Sequence, residues 1–165
     1  MACLGVLFAL SLADVKKFKA FDDEDELLEF LTEDFEERQI GGEWAVEVDK
    51  SWDAIQRCFG DGQLSWESTQ YPLDHIILCG EPLYSGDDYV ISLKTAKEVR
   101  DIAEKIGEVT QADLRNRFNA IDPADFGEPL TDEEFDAAWR SFTDLCTFYK
   151  KAAEAKRAVM FTVDQ

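Results

Sequence analysis

The chain contains one histidine, His75, and four cysteines, Cys3, Cys58, Cys79 and Cys146. A histidine acting as a general base needs a nucleophile to deprotonate and a third group to orient its ring. Asp74 adjoins it, but on the strand read for this segment neighbouring side chains face opposite ways. Glu81 follows in a Gly80-Glu81-Pro82 turn. A carboxylate at a strand's carboxyl end occupies a common site position in α/β sheets, although Gly and Pro also make an ordinary turn there. Upstream, Asp49-Lys50-Ser51-Trp52 would set Trp52 in a pocket with Asp49 at its rim, or make Asp49 a helix N-cap. Trp44, Trp52 and Trp66 would line a cleft or share one core. The candidate pocket is therefore Asp49, Trp52, Trp66, His75 and Glu81, with no catalytic residue assigned.

Metal chemistry finds little support. Structural zinc sites draw four N or S ligands from short paired spacings, and these cysteines have none. The acidic run Asp22-Asp23-Glu24-Asp25-Glu26 lacks the glycine turn of a calcium loop. Gly60-Asp61-Gly62 lacks the lysine that follows in a phosphate loop. No metal and no cofactor is expected. Four scattered cysteines in a chain with this much core read as free thiols of a reducing cytoplasm.

The strongest unusual feature is charge. Across 165 residues, 36 acids face 17 bases, for a formal charge of −19. Nucleic-acid backbone and anionic membrane surfaces are therefore disfavoured as partners. No apolar run reaches the ~18 residues of a membrane span. Asp22 to Glu37 holds ten of the acids and no base. Such a run is ordinarily a solvated face that keeps a protein soluble. Like charges at i, i+4 also cost helix stability, and a basic partner would relieve that cost. The expected partner-binding residues are Asp22, Asp23, Glu26, Glu29, Glu33 and Glu37, on a module that binds a basic protein as an inhibitor or immunity protein would. The alternative is a small-molecule binder or enzyme using the candidate pocket. A third reading is an accessory domain with no site. Oligomeric state is not legible.

Hydrophobic periodicity supplies the elements that would position these residues. Leu4 to Leu10 reads as a buried strand, although Met1 to Ala13 has the look of a signal-peptide apolar region without its basic start. Ser11, with Asp14 three residues on, caps a short helix to Ala20. Phe21 to Arg38 is a second helix with the apolar stripe Leu27, Leu28, Leu31 and Phe35. Glu43 to Val48 is a short strand, and Asp49 to Phe59 a helix. His75 to Cys79 is continuously apolar at its centre and reads as a central strand. Tyr89 to Leu93 is another strand. Thr95 with Glu98 and Thr110 with Asp113 open two further helices. Asn119 to Leu130 is irregular, Thr131 with Glu134 boxes a last helix of about five turns, and Ala158 to Val163 closes as a strand. The expectation is one α+β domain over residues 1–165, a small mixed β-sheet packed by about five to six helices.

The order of these segments resembles the YfbM-like family, small bacterial proteins grouped as a domain of unknown function. The resemblance runs through Leu10 to Asp14, Val48 to Ile55 with Phe59-Gly60, and Pro72-Leu73 to Pro82. It continues from Leu93 through Thr95, Glu98-Val99 and Ile102-Ala103 to Leu114 and Phe118. It ends with Phe148 to Ala153 and Ala158-Val159. Together these stretches span nearly the whole chain. Val6-Leu7-Phe8 stands where the family is often rich in Gly, Met and aromatic residues. Cys79 takes the first glycine of the family's Gly-Gly-Glu-Pro. The resemblance implies an α+β fold and no particular activity.

Overall fold

Alternation along two strands organises the molecule. The computed structural model describes residues 3–165; Met1 and Ala2, the start of the signal-like stretch, lie outside the described residues. Strand β1 (Gly5–Leu10) is buried at every position. Its odd and even residues serve different cores: Leu7 and Ala9 pack into one, Val6, Phe8 and Leu10 into the other. Strand β5 (Ala158–Asp164) repeats the pattern, with Val159, Phe161 and Val163 opposite Ala158 and Met160. A period of two on a strand with both faces covered yields an unbroken apolar run, which is why these segments do not look amphipathic.

Around this pair lie β2 (Ala45–Asp49), β3 (Glu81–Pro82) and β4 (Tyr89–Lys94), in the order β2-β1-β5-β4-β3. Every pairing is antiparallel, so the α+β class holds while the mixed sheet expected from sequence does not. One face carries α1 (Leu12–Lys19) and α2 (Glu24–Phe30), then a π-turn (Leu31–Phe35) and α3 (Glu36–Gln39). The other carries α4 (Ser51–Phe59), α5 (Ala96–Ile106), α6 (Gln111–Asn119) and the long α8 (Asp132–Glu154). The stretch read as irregular contains α7 (Pro123–Phe126), capped by Asp122 with proline at its start. The reciprocal caps read at Ser11/Asp14, Thr95/Glu98 and Thr110/Asp113 are formed, whereas at Thr131/Glu134 only the Glu134 N–H to Thr131 Oγ1 bond is made.

Two local expectations are corrected. Asp49 does not cap α4. It pairs with Gly5 as the last residue of β2, then turns the chain at φ 45°, and Lys50 precedes the helix without a side-chain cap. His75 to Cys79 is not a strand. Leu73–His75 is a single 3₁₀ turn and the rest is irregular, yet Ile76 to Cys79 is fully buried. Buried backbone must find hydrogen bonds somewhere. Here side chains supply them. Gln56 donates to the Asp74 carbonyl and accepts from Leu78 N–H. The Tyr149 hydroxyl donates to Ile76 O, Lys94 Nζ to Ile77 O, and Ser92 Oγ to Cys79 O. Four polar residues from three other elements thus replace the ladder that a strand would have had.

Candidate functional site

The acidic segment forms an exposed ridge. Leu27, Leu31 and Phe35 turn inward, and Phe35 packs edge-on against Phe8 and Phe18. Asp23 caps α2 by accepting from the N–H groups of Asp25 and Glu26. Of the ten carboxylates from Asp22 to Glu37, nine are exposed; Glu36 is half-buried. Among the described residues, Asp34 alone of the ten has a basic partner, Arg38 at 2.5 Å. Glu36 is drawn in by the π-turn, where its N–H bonds Leu31 O. The widened turn rotates the following residues. The Glu36 carboxylate then accepts from the Tyr89 hydroxyl at 2.7 Å and from Thr162 Oγ1 at 2.9 Å.

The five residues of the expected pocket are not gathered into one. Trp52 is buried against Phe161, and its Nε1 donates to Cys3 O at 3.0 Å. Asp49 lines a separate concavity of about 740 Å³ with Lys50 and Arg140. Glu81 is exposed and ion-paired with Lys19 at 3.2 Å. Trp44 lies beneath Arg157 and Lys151, away from the other tryptophans' partners. Trp66 projects from a loop, 42% exposed.

His75 has the orienting carboxylate that a strand would have denied it. Because Leu73–His75 is a 3₁₀ turn, Asp74 Oδ1 reaches His75 Nδ1 at 2.7 Å. His75 Nε2 lies 3.3 Å from Glu98, and Tyr71 packs edge-on against the ring. Burial alone would raise the Asp74 carboxyl. Hydrogen bonds from the Gln70 N–H, His75 and Ser68 outweigh it and hold the group below its ordinary range. Asp74, His75 and Cys79 place metal-type donor atoms within 4.8 Å of one another, all buried. These donors are already committed: Asp74 Oδ2 accepts from Thr69 and Gln70 N–H, and Oδ1 meets the imidazole. Burial pushes the Cys79 thiol up to about 11, which leaves it protonated at neutral pH and a poor nucleophile. The cluster's evident work is to hold the irregular segment in place.

A different concavity was missed from sequence. A groove of about 490 Å³ runs beside β3 and β4, with Trp66, Pro82, Tyr84 and Tyr89 as walls and Val90 and Ile91 among its lining. The Tyr84 hydroxyl donates to Asp88 at 2.8 Å. Gly86 permits this fold of the loop, since a Cβ there would stand 2.5 Å from the Tyr84 ring. Ser85 N–H and Oγ both donate to Glu24 of α2, at 3.1 and 2.7 Å. Glu24 and Glu36 therefore tie the ridge to the groove's wall at two points. The sequence signal was faint: three aromatics in or beside loops, with no periodicity to join them.

Comparison with known proteins fits this picture of a defined fold around an unassigned surface. Among the described residues, no helix is long and apolar enough to cross a membrane. No protein of curated function matches the sequence. The crystal structure of YfbM from Escherichia coli, a protein of unknown function, superposes with a TM-score of 0.64 at 18% identity, covering 97% of this chain and 99% of that one. At that identity the likeness establishes the fold alone. The family described as "Domain of unknown function (DUF1877)" matches residues 1–162, and the chain belongs to that family.

Proposed function

We propose that the protein is an interaction module that binds a basic protein through the ridge from Asp22 to Glu37, as an inhibitor or immunity protein would. The observation that carries this reading is the ridge's unmatched charge: nine exposed carboxylates, with Arg38 their one ion-pair partner among the described residues. Like charges at helical spacing repel, and a cationic partner would convert that repulsion into attraction. Long-range steering over roughly 8 Å at physiological salt would raise the association rate and select against acidic proteins. The residues presented are Asp22, Asp23, Glu26, Glu29, Glu33 and Glu37, all exposed. A cytoplasmic setting goes with this reading, and Cys58, Cys79 and Cys146 carry free thiols.

The test is capture from extract of the source cell, comparing the wild-type protein with the triple variant Glu26→Lys, Glu29→Lys, Glu33→Lys. The expected result is a basic protein retained by the wild type at low salt, released at high salt and not retained by the variant. Its association rate with the purified wild type should fall steeply as salt rises. Recovery of no basic protein at low salt, or equal recovery by both forms, would overturn the proposal.

A further inference from the structure

We infer that the groove beside the ridge receives an arginine side chain of the basic partner, so that ridge and groove act as one surface. This inference rests on the interaction reading above and specifies the chemistry of its partner.

The groove is walled by aromatic rings, and carboxylates outside it hold the hydroxyls of two of those rings. Trp66, Tyr84 and Tyr89 contribute the rings. The two phenol hydroxyls are committed as donors, to Asp88 and to Glu36. Their ring faces, with the negative potential of the π-cloud, are what remains for a visitor. Negative charge surrounds Tyr84 in particular: Asp88, Asp25 and Glu24 all act on its phenol and hold its proton more tightly than usual, the hydrogen bond to Asp88 most of all. Among the described residues no basic side chain lines the groove and no acidic one does, the carboxylates standing behind its walls. The nearby Lys19 is occupied by Glu81. A groove of about 490 Å³ suits a single inserted group better than a whole helix. Charge complementarity therefore selects a cation, and the aromatic walls select one that can stack. Guanidinium is planar, weakly hydrated and able to fork toward carboxylates while lying on a ring, and ammonium is not. The hydrogen bonds from Ser85 to Glu24 make the groove continuous with the first turn of the ridge helix. A basic segment lying along the ridge would thus pass the groove's mouth.

The experiment uses fluorescently labelled octa-arginine and octa-lysine peptides at about 0.15 M salt, with binding followed by anisotropy. Four variants accompany the wild type: Trp66→Ala, Trp66→Phe, the ridge triple Glu26→Lys, Glu29→Lys, Glu33→Lys, and a control triple Glu133→Lys, Asp136→Lys, Asp144→Lys on α8. The expected result is that octa-arginine binds the wild type roughly fivefold or more tightly than octa-lysine. Trp66→Ala should erase that preference and Trp66→Phe should keep it. Full octa-arginine affinity and preference in Trp66→Ala, with binding lost in the ridge triple, would overturn the groove assignment and leave the ridge reading intact. Equal weakening by the ridge and control triples would instead overturn the ridge reading, because binding would then follow net charge alone. Trp66 is a surface residue, so far-UV circular dichroism matching the wild type is expected for both of its variants.

Discussion

Lys94 is a titratable residue with no exposed surface. Its side chain runs under β4 to bond Ile77 O and Ser92 Oγ, and it is completely buried. Gly80 holds it down from above: at φ +65°, an added Cβ would press 2.6 Å from Leu93 O and against the lysine's own Cδ. Burial lowers the ammonium to about 7, against partial compensation from Cys79 and Glu98. In the unfolded chain the group titrates near ~10.4. Between those values the unfolded state binds more protons than the folded state, so stability rises with pH across that window. Below the folded value both states are charged and the burial penalty is complete. Cys79 acts in the opposite sense, its folded value lying above the usual ~8.5, so the clean window is roughly pH 7 to 8.5. Urea unfolding across that window is expected to show rising stability in the wild type and a flattened slope in Lys94→Met. Parallel slopes in the two proteins would count against a depressed Lys94. Lys94→Met will also cost about 1–3 kcal/mol by orphaning the Ile77 carbonyl, so the slope rather than the absolute value is diagnostic.

At the scale of the element, the ridge helix is built against its own electrostatics. Asp23, Glu24, Asp25 and Glu26 at its start complement the helix dipole. Glu29, Glu33 and Glu37 farther along receive no such benefit and stand near one another at i, i+4 spacing. What holds the helix is its inner face, where Leu27, Leu31 and Phe35 join Phe8, Phe18 and Met160 in the second core. Burial of those side chains, at ~1.5–3 kcal/mol each, far exceeds repulsions of ~0.2–0.5 kcal/mol per pair. Glu29→Lys converts three like-charge pairs, with Asp25, Glu26 and Glu33, into attractive ones. It is expected to stabilise the fold by roughly 0.5–1 kcal/mol in denaturant unfolding at low salt, with the gain shrinking as salt is added. Loss of stability in this variant would mean that the carboxylate has a structural partner. A gain would show that the ridge keeps its charge at a cost to folding, as a binding surface does and a merely solvated one need not.

For the whole molecule, the charge of −19 is the governing quantity. Compacting so many like charges works against the folded state, and salt screens the repulsion. The melting temperature is therefore expected to rise by several degrees as sodium chloride goes from roughly 0.01 to 0.5 M, most of it at the low end where the Debye length shortens fastest. A flat or falling curve by differential scanning calorimetry would indicate that local pairing already neutralises the surface. Among the described residues, ion pairs outside the ridge such as Lys97 with Asp101 and Arg115 with Asp132 lie at the surface, Arg57 is buried between Asp53 and Asp125, and together they are too few to do so.

Features that depend on near neighbours along the chain could be read from the residues alone. The caps at Ser11, Thr95 and Thr110, the stripe Leu27-Leu31-Phe35, the α+β class and the contiguous acids of the ridge were all legible, because each is set by residues within a turn or two of one another. The strand order, the antiparallel pairing and the fate of His75 to Cys79 were set by contacts between distant segments. That last segment has a strand's composition. Its hydrogen-bond partners come from Gln56, Ser92, Lys94 and Tyr149, between 13 and 73 residues away, and no local pattern announces them. The groove is of the same kind. Trp66, Tyr84 and Tyr89 meet only because β4 folds back beside β5 and the loops on either side follow it.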